Sequence, residues 1–349
     1  METLAADVWA ALDARSPDAQ LFAHGGSNRS LPWFYARAWF RAATLVLRRR
    51  VDVVVEYDAV TFIVLWPVLA ALRVPQVALV NGLDLTWRRA PYPSLIRRLL
   101  PRAARVVAIS DATAEVARGV GVREDRLGVV RPGVGPPSAG APDRVTARGV
   151  IEARLGLDDQ AVVLFTLGRL VRRKGVRWFV SEVMPKLPST VHYVVAGSGP
   201  EAEPIAEAMI GAGLEDRVHL LGSVSDSDRE IFLAGADLFI QPNVVTPGDM
   251  EGFGLVIVEA TTRGTPALAS AIEGMSDAVA QGAAGMLCPP GDVTAWVTAV
   301  TELVADREML ARRGRRYQAE AESRFGRDFL ADRLMAELAA ATNRTAPTG

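Results

Sequence analysis

The residues best suited to chemistry lie in the segment PGDMEGFGLVIVE, residues 247–259, where two carboxylates, Glu251 and Glu259, flank a glycine-rich turn. The turn follows an apolar run, so Glu251 is expected on an exposed loop at a strand end, with Gly252 and Gly254 leaving backbone amides uncovered on either side of Phe253. A helix is expected to begin near Leu255, which puts Glu259 about one turn inside it. Carboxylates accept hydrogen bonds from the paired hydroxyls of sugars, so one could take a hexose and the other a ribose. A helix N-terminus between them favours phosphate. An ordinary solvent-facing role for Glu259 is less compatible with its apolar neighbours.

A second constellation is GRLVRRKG, residues 168–175, directly after a β-branched run. Arg169 and Lys174 put two cations at one strand end, an arrangement that suits a diphosphate whose charge grows as its ester bond breaks. The competing reading is a solvated strand-to-helix turn. Gly197-Ser198-Gly199-Pro200 ends another strand, and Gly197 and Gly199 are expected to offer N–H groups to an anion. It lacks the third glycine of G-x-G-x-x-G, which argues against a nicotinamide dehydrogenase. Of three histidines, His24 is expected at a strand end near ligand, whereas His192 and His219 fall within strands and read as satisfied core or edge residues. No histidine–carboxylate set has metal-ligand spacing, and neither a Ser-His-Asp constellation nor a G-x-S-x-G elbow is present.

These segments need scaffolding that ends strands beside them. Helical periodicity is read over residues 3–12, 31–50 and 59–72, and strands over 20–23, 51–55, 77–80, 105–109 and 127–130. The run 51–55 is dense in β-branched residues and is expected to be buried on both faces. Ser110 is placed to cap a helix. Residues 132–142 are rich in Pro, Gly, Ala and Ser and read as a link. A second alternating series follows, with strands at 161–167, 191–196, 218–221, 238–241, 267–270 and 285–288, and helix from Trp296 almost to the end; residues 342–349 are expected to fray. Short β runs alternating with helices imply an α/β chain with parallel, helix-covered sheets. The expected division is a first domain at 1–134, a linker at 135–150, a second domain at 151–320 and a C-terminal helix at 321–349. A doubly wound domain ordinarily opens with a strand. This chain opens with a helix, so the first strand is expected to be missing, either by design or because the recorded start lies inside the gene.

Composition narrows the classes. Half of the 349 residues are hydrophobic and 23% are charged, a globular balance, and the net charge of −1 gives no reason to expect a nucleic-acid partner. The charge is uneven: residues 1–134 carry 18 Arg, no Lys and 12 acidic residues, a net +6, leaving −7 for the remainder. The basic half suits an anionic acceptor or an anionic membrane face, or is simply an Arg-rich solvated surface. The single cysteine, Cys288, allows no internal disulfide, and the cytoplasm, with a peripheral contact at the membrane's inner face as a further option, is the expected compartment. The most apolar stretch, 59–72, carries Pro67, stops at Arg73 and is short for a bilayer span.

With these segments in order, the chain resembles the retaining, GT-B-fold glycosyltransferases of family 4, the group 1 glycosyl transferases. The resemblance is strongest over residues 162–290 and rests on GRLVRRKG, VVAGSGP, RVHLLG, EGFGLVIVEA with its Glu-x7-Glu spacing, GTPALAS and GMLCPPGD, six blocks in the family's order. It implies two Rossmann-like domains whose parallel sheets face across a cleft. It implies a nucleoside-diphosphate sugar donor, UDP- or GDP-linked, held by the second domain. Arg169 and Lys174 then resemble the pair that grips the diphosphate, Glu251 the carboxylate on the transferred sugar, Gly252 to Gly254 the amides beside it, and Glu259 the carboxylate on the ribose. VVRPGV, residues 129–134, resembles the joint between domains, and the helix around 325–338 one that returns to the first domain. The resemblance implies no metal and no other cofactor.

Two departures stand on the first half. Where many relatives have a His-Gly pair near the transferred sugar, this chain has Asn81-Gly82. Asn81 can donate a hydrogen bond but cannot act as a base. The opening residues also resemble the helix that normally follows a first strand and a Gly-Gly acceptor loop. The acceptor, a small molecule, a lipid-linked sugar or a glycan, is expected near Gly25, Tyr57-Asp58 and residues 81–87, with the Trp87-Arg88-Arg89 run available to a sugar or an acidic group. Two rivals remain: another retaining enzyme of the same fold, such as a glycogen- or trehalose-type enzyme or a sugar phosphorylase, and a non-catalytic sugar-nucleotide-binding relative acting in an assembly.

Overall fold

The computed structural model describes residues 2–24, 28–48, 50–138 and 140–343. It divides into two compact units: Met1–Gly133 with Gly248–Phe253 and Arg327–Gly349, and Val134–Pro247 with Gly254–Gly326.

The first unit holds a parallel four-stranded sheet in the order β1 (Val54–Glu56), β2 (Gln76–Val80), β3 (Arg105–Ala108), β4 (Leu127–Val129). Its centre, β2, is buried throughout and consists of apolar residues after Gln76, as a strand covered on both faces requires. One face packs on helix Ala59–Ala71 through Phe62, Ala78, Val80 and Val106. The other packs on helices Glu2–Arg15 and Arg327–Asn343, with Val8 and Ala11 meeting Val77, Leu79, Leu334 and Leu338. Glu337 of that last helix pairs with Arg105 of β3. Caps begin two helices: Asp58 accepts the Thr61 N–H at 2.8 Å, and Ser110 the Thr113 N–H at 3.0 Å.

Two expectations for this unit fail. Residues 20–23 form no strand, and β1 is a short edge strand beginning at Val54, only partly buried before Glu56. Residues 51–53 therefore stay outside the ladder, since an edge strand has a neighbour on one side alone. Gly25 lies outside the described residues, as do 344–349; Thr342 belongs to helix Arg327–Asn343.

The second unit holds a parallel six-stranded sheet in the order β10 (Met286–Cys288), β9 (Ala267–Ser270), β8 (Leu238–Gln241), β5 (Val162–Leu167), β6 (Val191–Ala196), β7 (Val218–Gly222). From β5 the chain first winds outward through β6 and β7, then returns to the other side for β8, so the strand order reverses between β5 and β8. In open α/β sheets that reversal opens the crevice in which ligands bind, outside the carboxyl ends of the strands. The core beneath holds Phe179, Tyr193 and Trp296, with Phe179 and Trp296 ring centres 5.7 Å apart. Residues 144–150, expected within the linker, form the first half of helix Arg144–Leu155, which Asp143 caps by accepting the Thr146 N–H at 2.8 Å.

Both sheets are thus parallel and helix-covered, as the alternation implied, and form the two Rossmann-like domains that the resemblance to the GT-B fold implied. Among the described residues, no helix is long and apolar enough to cross a membrane.

Candidate active site

The cationic segment of the second unit sits at the β5–β8 switch point. β5 is buried from Val162 to Thr166, and the Thr166 hydroxyl bonds both the Ile240 carbonyl (2.5 Å) and the Tyr193 hydroxyl (2.6 Å), which ties the ends of β5, β6 and β8 together. The chain leaves β5 through Gly168 and Arg169 and makes one tight turn at Arg172–Lys174. That turn is held against the segment after β8, because the Val244 N–H donates to the Arg173 carbonyl at 2.9 Å. At Gly175, φ is +67°, and a Cβ there would lie 1.8 Å from the Pro242 oxygen, so only glycine fits. Lys174 is buried, and its Cε lies 3.9 Å from the place a Cβ on Gly168 would take. Its side chain therefore runs across the end of β5, toward the switch point.

Gly197 and Gly199 have a packing role that the sequence reading missed. A Cβ on Gly197 would lie 1.8 Å from the Gly168 oxygen, and one on Gly199 2.2 Å from the Leu170 oxygen. Backbone runs against backbone here, with Leu170 N–H donating to Ser198 at 2.8 Å. The Gly197 N–H, expected to serve an anion, instead donates to the Gly222 carbonyl at 2.7 Å. These glycines bring the β6 end close to the loop that carries Arg169 and Lys174.

Glu259 lies in helix Leu255–Thr261 and is buried, as its apolar surroundings implied. Its Oε1 pairs with Arg229 of helix Asp226–Gly235. Next to it, Arg263 forms a two-pronged pair with Glu230, Nε to Oε2 and Nη2 to Oε1 each at 2.5 Å. These pairs lock the two helices and set the direction of Glu259. Gly254 starts its helix at φ +84°, packed against Met275.

Sequence reasoning also passed over Gln241, Asn243 and Ser270, all buried at the carboxyl ends of β8 and β9. Gln241 Nε2 donates to Asn243 Oδ1 at 2.8 Å, which leaves Gln241 Oε1 and Asn243 Nδ2 without a partner among the described residues; Ser270 Oγ has none either. If both amides are turned over, the pair still leaves one donor and one acceptor unused. The signal was present in LFIQPN, an apolar run ending in two amides.

In the first unit, the Glu251 loop and Asn81 come together. Gly248–Phe253 belongs to this unit, although its neighbours in sequence belong to the other. A Cβ on Gly252 would lie 2.4 Å from the Asn81 oxygen and 2.9 Å from Ile109 Cδ1, so glycine lets the loop lie on the end of β2. Glu251 is half-buried on that loop and Phe253 is buried. Asn81 is a structural tie: its Nδ2 donates to the Tyr57 carbonyl at 3.1 Å, and its N–H to Asp84 Oδ1 at 2.9 Å.

Asp84 also accepts the Ala59 N–H at 3.1 Å. Burial pushes its carboxyl up to about 6, against the pull of those two N–H groups. Glu56 is fully buried with neither oxygen partnered among the described residues, and desolvation holds it well above the usual carboxylate range. Both were detectable as carboxylates at strand ends, in VEYD and NGLD. Tyr57, expected near an acceptor, is half-buried and packs against the cluster that holds Val77 and Leu79, its hydroxyl without a partner among the described residues. Trp87, Arg88 and Arg89 are exposed, and the Trp87 ring lies 5.1 Å from that of Tyr92.

The histidines divide as their settings dictate. His24 sits in an irregular segment rather than at a strand end, its Nε2 2.8 Å from Ser30 Oγ and its ring edge-on to Phe34. His192 and His219 stack across β6 and β7 with ring nitrogens 3.2 Å apart.

Residues 7–136 match the family described as Glycosyltransferase Family 4, and residues 148–320 match Glycosyl transferases group 1. The chain is 33% identical over 258 residues to a D-inositol 3-phosphate glycosyltransferase of Xylanimonas cellulosilytica, covering 69% of this chain and 59% of that one. It is 32% identical over 173 residues to the alpha-D-kanosaminyltransferase of Streptomyces kanamyceticus, covering 49% and 43%. The chain spans about half the length of the curated relatives it matches. Among solved structures it is similar to Anabaena HepE in complex with UDP and glucose, with a TM-score of 0.73 at 21% identity, covering 91% of this chain and 84% of that one. With both halves matched in sequence and both sheets parallel, the chain belongs to the family 4, group 1 glycosyltransferases.

Proposed function

We propose that the chain transfers a sugar from a nucleoside-diphosphate sugar, UDP- or GDP-linked, to an acceptor, with retention at the anomeric carbon. The bond from the anomeric carbon to the diphosphate oxygen breaks, a bond to the acceptor forms, and the acceptor's proton leaves with the diphosphate. The observation that carries this reading is the buried Lys174, lying across the end of β5 at the sheet's switch point, on the same loop as Arg169. Two cations there stabilise the charge that grows on the diphosphate as the bond breaks. In this reading they do the work that a metal ion performs in other transferases. Glu251 takes hydroxyls of the transferred sugar and Glu259, oriented by Arg229, takes the ribose. A small molecule, a lipid-linked sugar or a glycan fits as acceptor.

The test is thermal-shift and calorimetric binding with UDP, GDP, ADP and TDP sugars, followed by nucleotide release with the donor that binds. Stabilisation by one nucleotide, lost in Lys174→Ala, and release of the diphosphate by the wild type support the reading. Donor binding without release or transfer on any acceptor supports the non-catalytic relative instead. That second reading draws on the Asn81 amide, which stands in the family's histidine position and is committed to the Tyr57 carbonyl.

A further inference from the structure

Helix Leu31–Leu47 contains no acidic residue, and its outward face carries side chains that water does not favour. Trp33 is 70% exposed, Phe40 77% and Leu47 73%. They recur in steps of three and four with Arg37, Arg41 and Arg48, all exposed, so aromatic and cationic groups share one stripe. The opposite face buries Ala38 against Leu65 and Leu69 of helix Ala59–Ala71. Phe22, Trp33, Arg37, Phe40 and Arg41 line a shallow groove along the stripe, with the Arg41 guanidinium 5.6 Å from the Phe22 ring centre. The charge bias extends past the helix, since residues 19–51 contain six arginines and no Asp or Glu.

We propose that this face docks on an anionic lipid bilayer, lying in the headgroup plane. A helix that joins exposed Trp, Phe and Leu to arginines is suited to the interface: the rings enter the boundary between headgroups and acyl chains, and the guanidiniums stay at phosphate level. An acid-free stretch of this length suits a surface of one sign, and a negatively charged leaflet presents one. Exposed aromatic groups and arginines also mark protein–protein interfaces, so self-association through this face is a separate outcome of the test. The assignment is independent of whether the chain transfers a sugar.

The experiment is co-sedimentation of the full chain with vesicles of phosphatidylcholine alone or mixed with phosphatidylglycerol, at low and physiological salt. The wild type is expected to pellet with anionic vesicles, at least about tenfold more strongly than with neutral ones, and to release as salt rises. The double variants Trp33→Ser/Phe40→Ser and Arg37→Glu/Arg41→Glu should each weaken binding by about tenfold or more. Their thermal unfolding should stay close to wild type, because the stripe is exposed. Failure of the wild type to bind, equal binding to neutral vesicles, or variants that bind as wild type would each overturn the proposal. So would concentration-dependent self-association in light scattering that Phe40→Ser abolishes, which would give the face to a second copy.

Discussion

Replacing Gly197 by alanine tests the claim that backbone packing, rather than ligand contact, dictates glycine at the β6 end. The added Cβ would lie 1.8 Å from the Gly168 oxygen and 2.9 Å from its carbonyl carbon. An ordinary carbon–oxygen contact needs more than about 3 Å, so β6 and the loop after β5 must separate by over about 1 Å. The backbone also stands at φ +145°, a region L side chains rarely adopt. Overpacking of this sort costs about 1–3 kcal/mol and backbone strain a similar amount. Loss of glycine's freedom in the unfolded chain offsets about 0.4–1 kcal/mol. The net is a loss of about 2–5 kcal/mol, or roughly 5–15 °C in the unfolding of the second unit. Lys174 crosses Gly168, so nucleotide affinity should also fall by about tenfold or more. Gly149→Ala is the internal control: it lies in helix Arg144–Leu155 with nothing within 4 Å of its Cβ, and should be neutral or stabilising by up to about 1 kcal/mol. Calorimetric unfolding of both variants, with UDP titration of each, reads the result. A Gly197→Ala protein that melts within about 1 °C of wild type and binds nucleotide unchanged would refute the reasoning.

Three further outcomes are expected. Asp84 has its carboxyl raised to about 6, above its unfolded value, so its stabilising share is full below pH about 4 and lost as pH rises through about 6. Burial of Glu56 works in the same direction. Compared with Glu56→Gln/Asp84→Asn, the wild type should therefore lose relative stability, by about 3 kcal/mol from Asp84 alone, between pH 4 and 7 in urea titrations; a parallel response of the two proteins would contradict this. Arg263→Ala leaves Glu230 buried without its two-pronged partner and should cost about 3–5 kcal/mol in urea unfolding, whereas a change under about 1 kcal/mol would mean that solvent reaches the pair. If Arg169 and Lys174 carry the neutralising charge, as proposed, transfer should survive exhaustive chelation once a donor is found; loss of activity with EDTA and its return with a divalent cation would remove that role.

Much of the second unit was legible before any coordinates, because its signals are local. The apolar runs of β5, β6 and β8 end abruptly at Gly168, Gly197 and Pro242, and a strand that ends in glycine or proline announces itself over a few residues. The blocks around Arg169, Lys174, Glu251 and Glu259 were equally plain, since chemistry needs particular side chains at short spacing. The first unit was harder to read. Residues 20–23 have a strand's composition but no strand beside them, and 51–53 are apolar yet precede the ladder. Strand identity depends on a partner remote in sequence, which no window of residues contains.

The sequence by itself determined the alternation that makes both sheets parallel, the cations and carboxylates available for chemistry, and the arginine bias of the first half. Tertiary structure decided what those groups are free to do. It committed the Asn81 amide to Tyr57 and the Gly197 N–H to Gly222, packed the half-buried Tyr57 against the core, and coupled Glu259 to Arg229. It also gathered Gly248–Phe253 into the first unit, onto the end of β2. Each of these depends on which groups meet across long separations in the chain, where a hydrogen-bond donor or a buried charge must take whatever partner the packing leaves within reach.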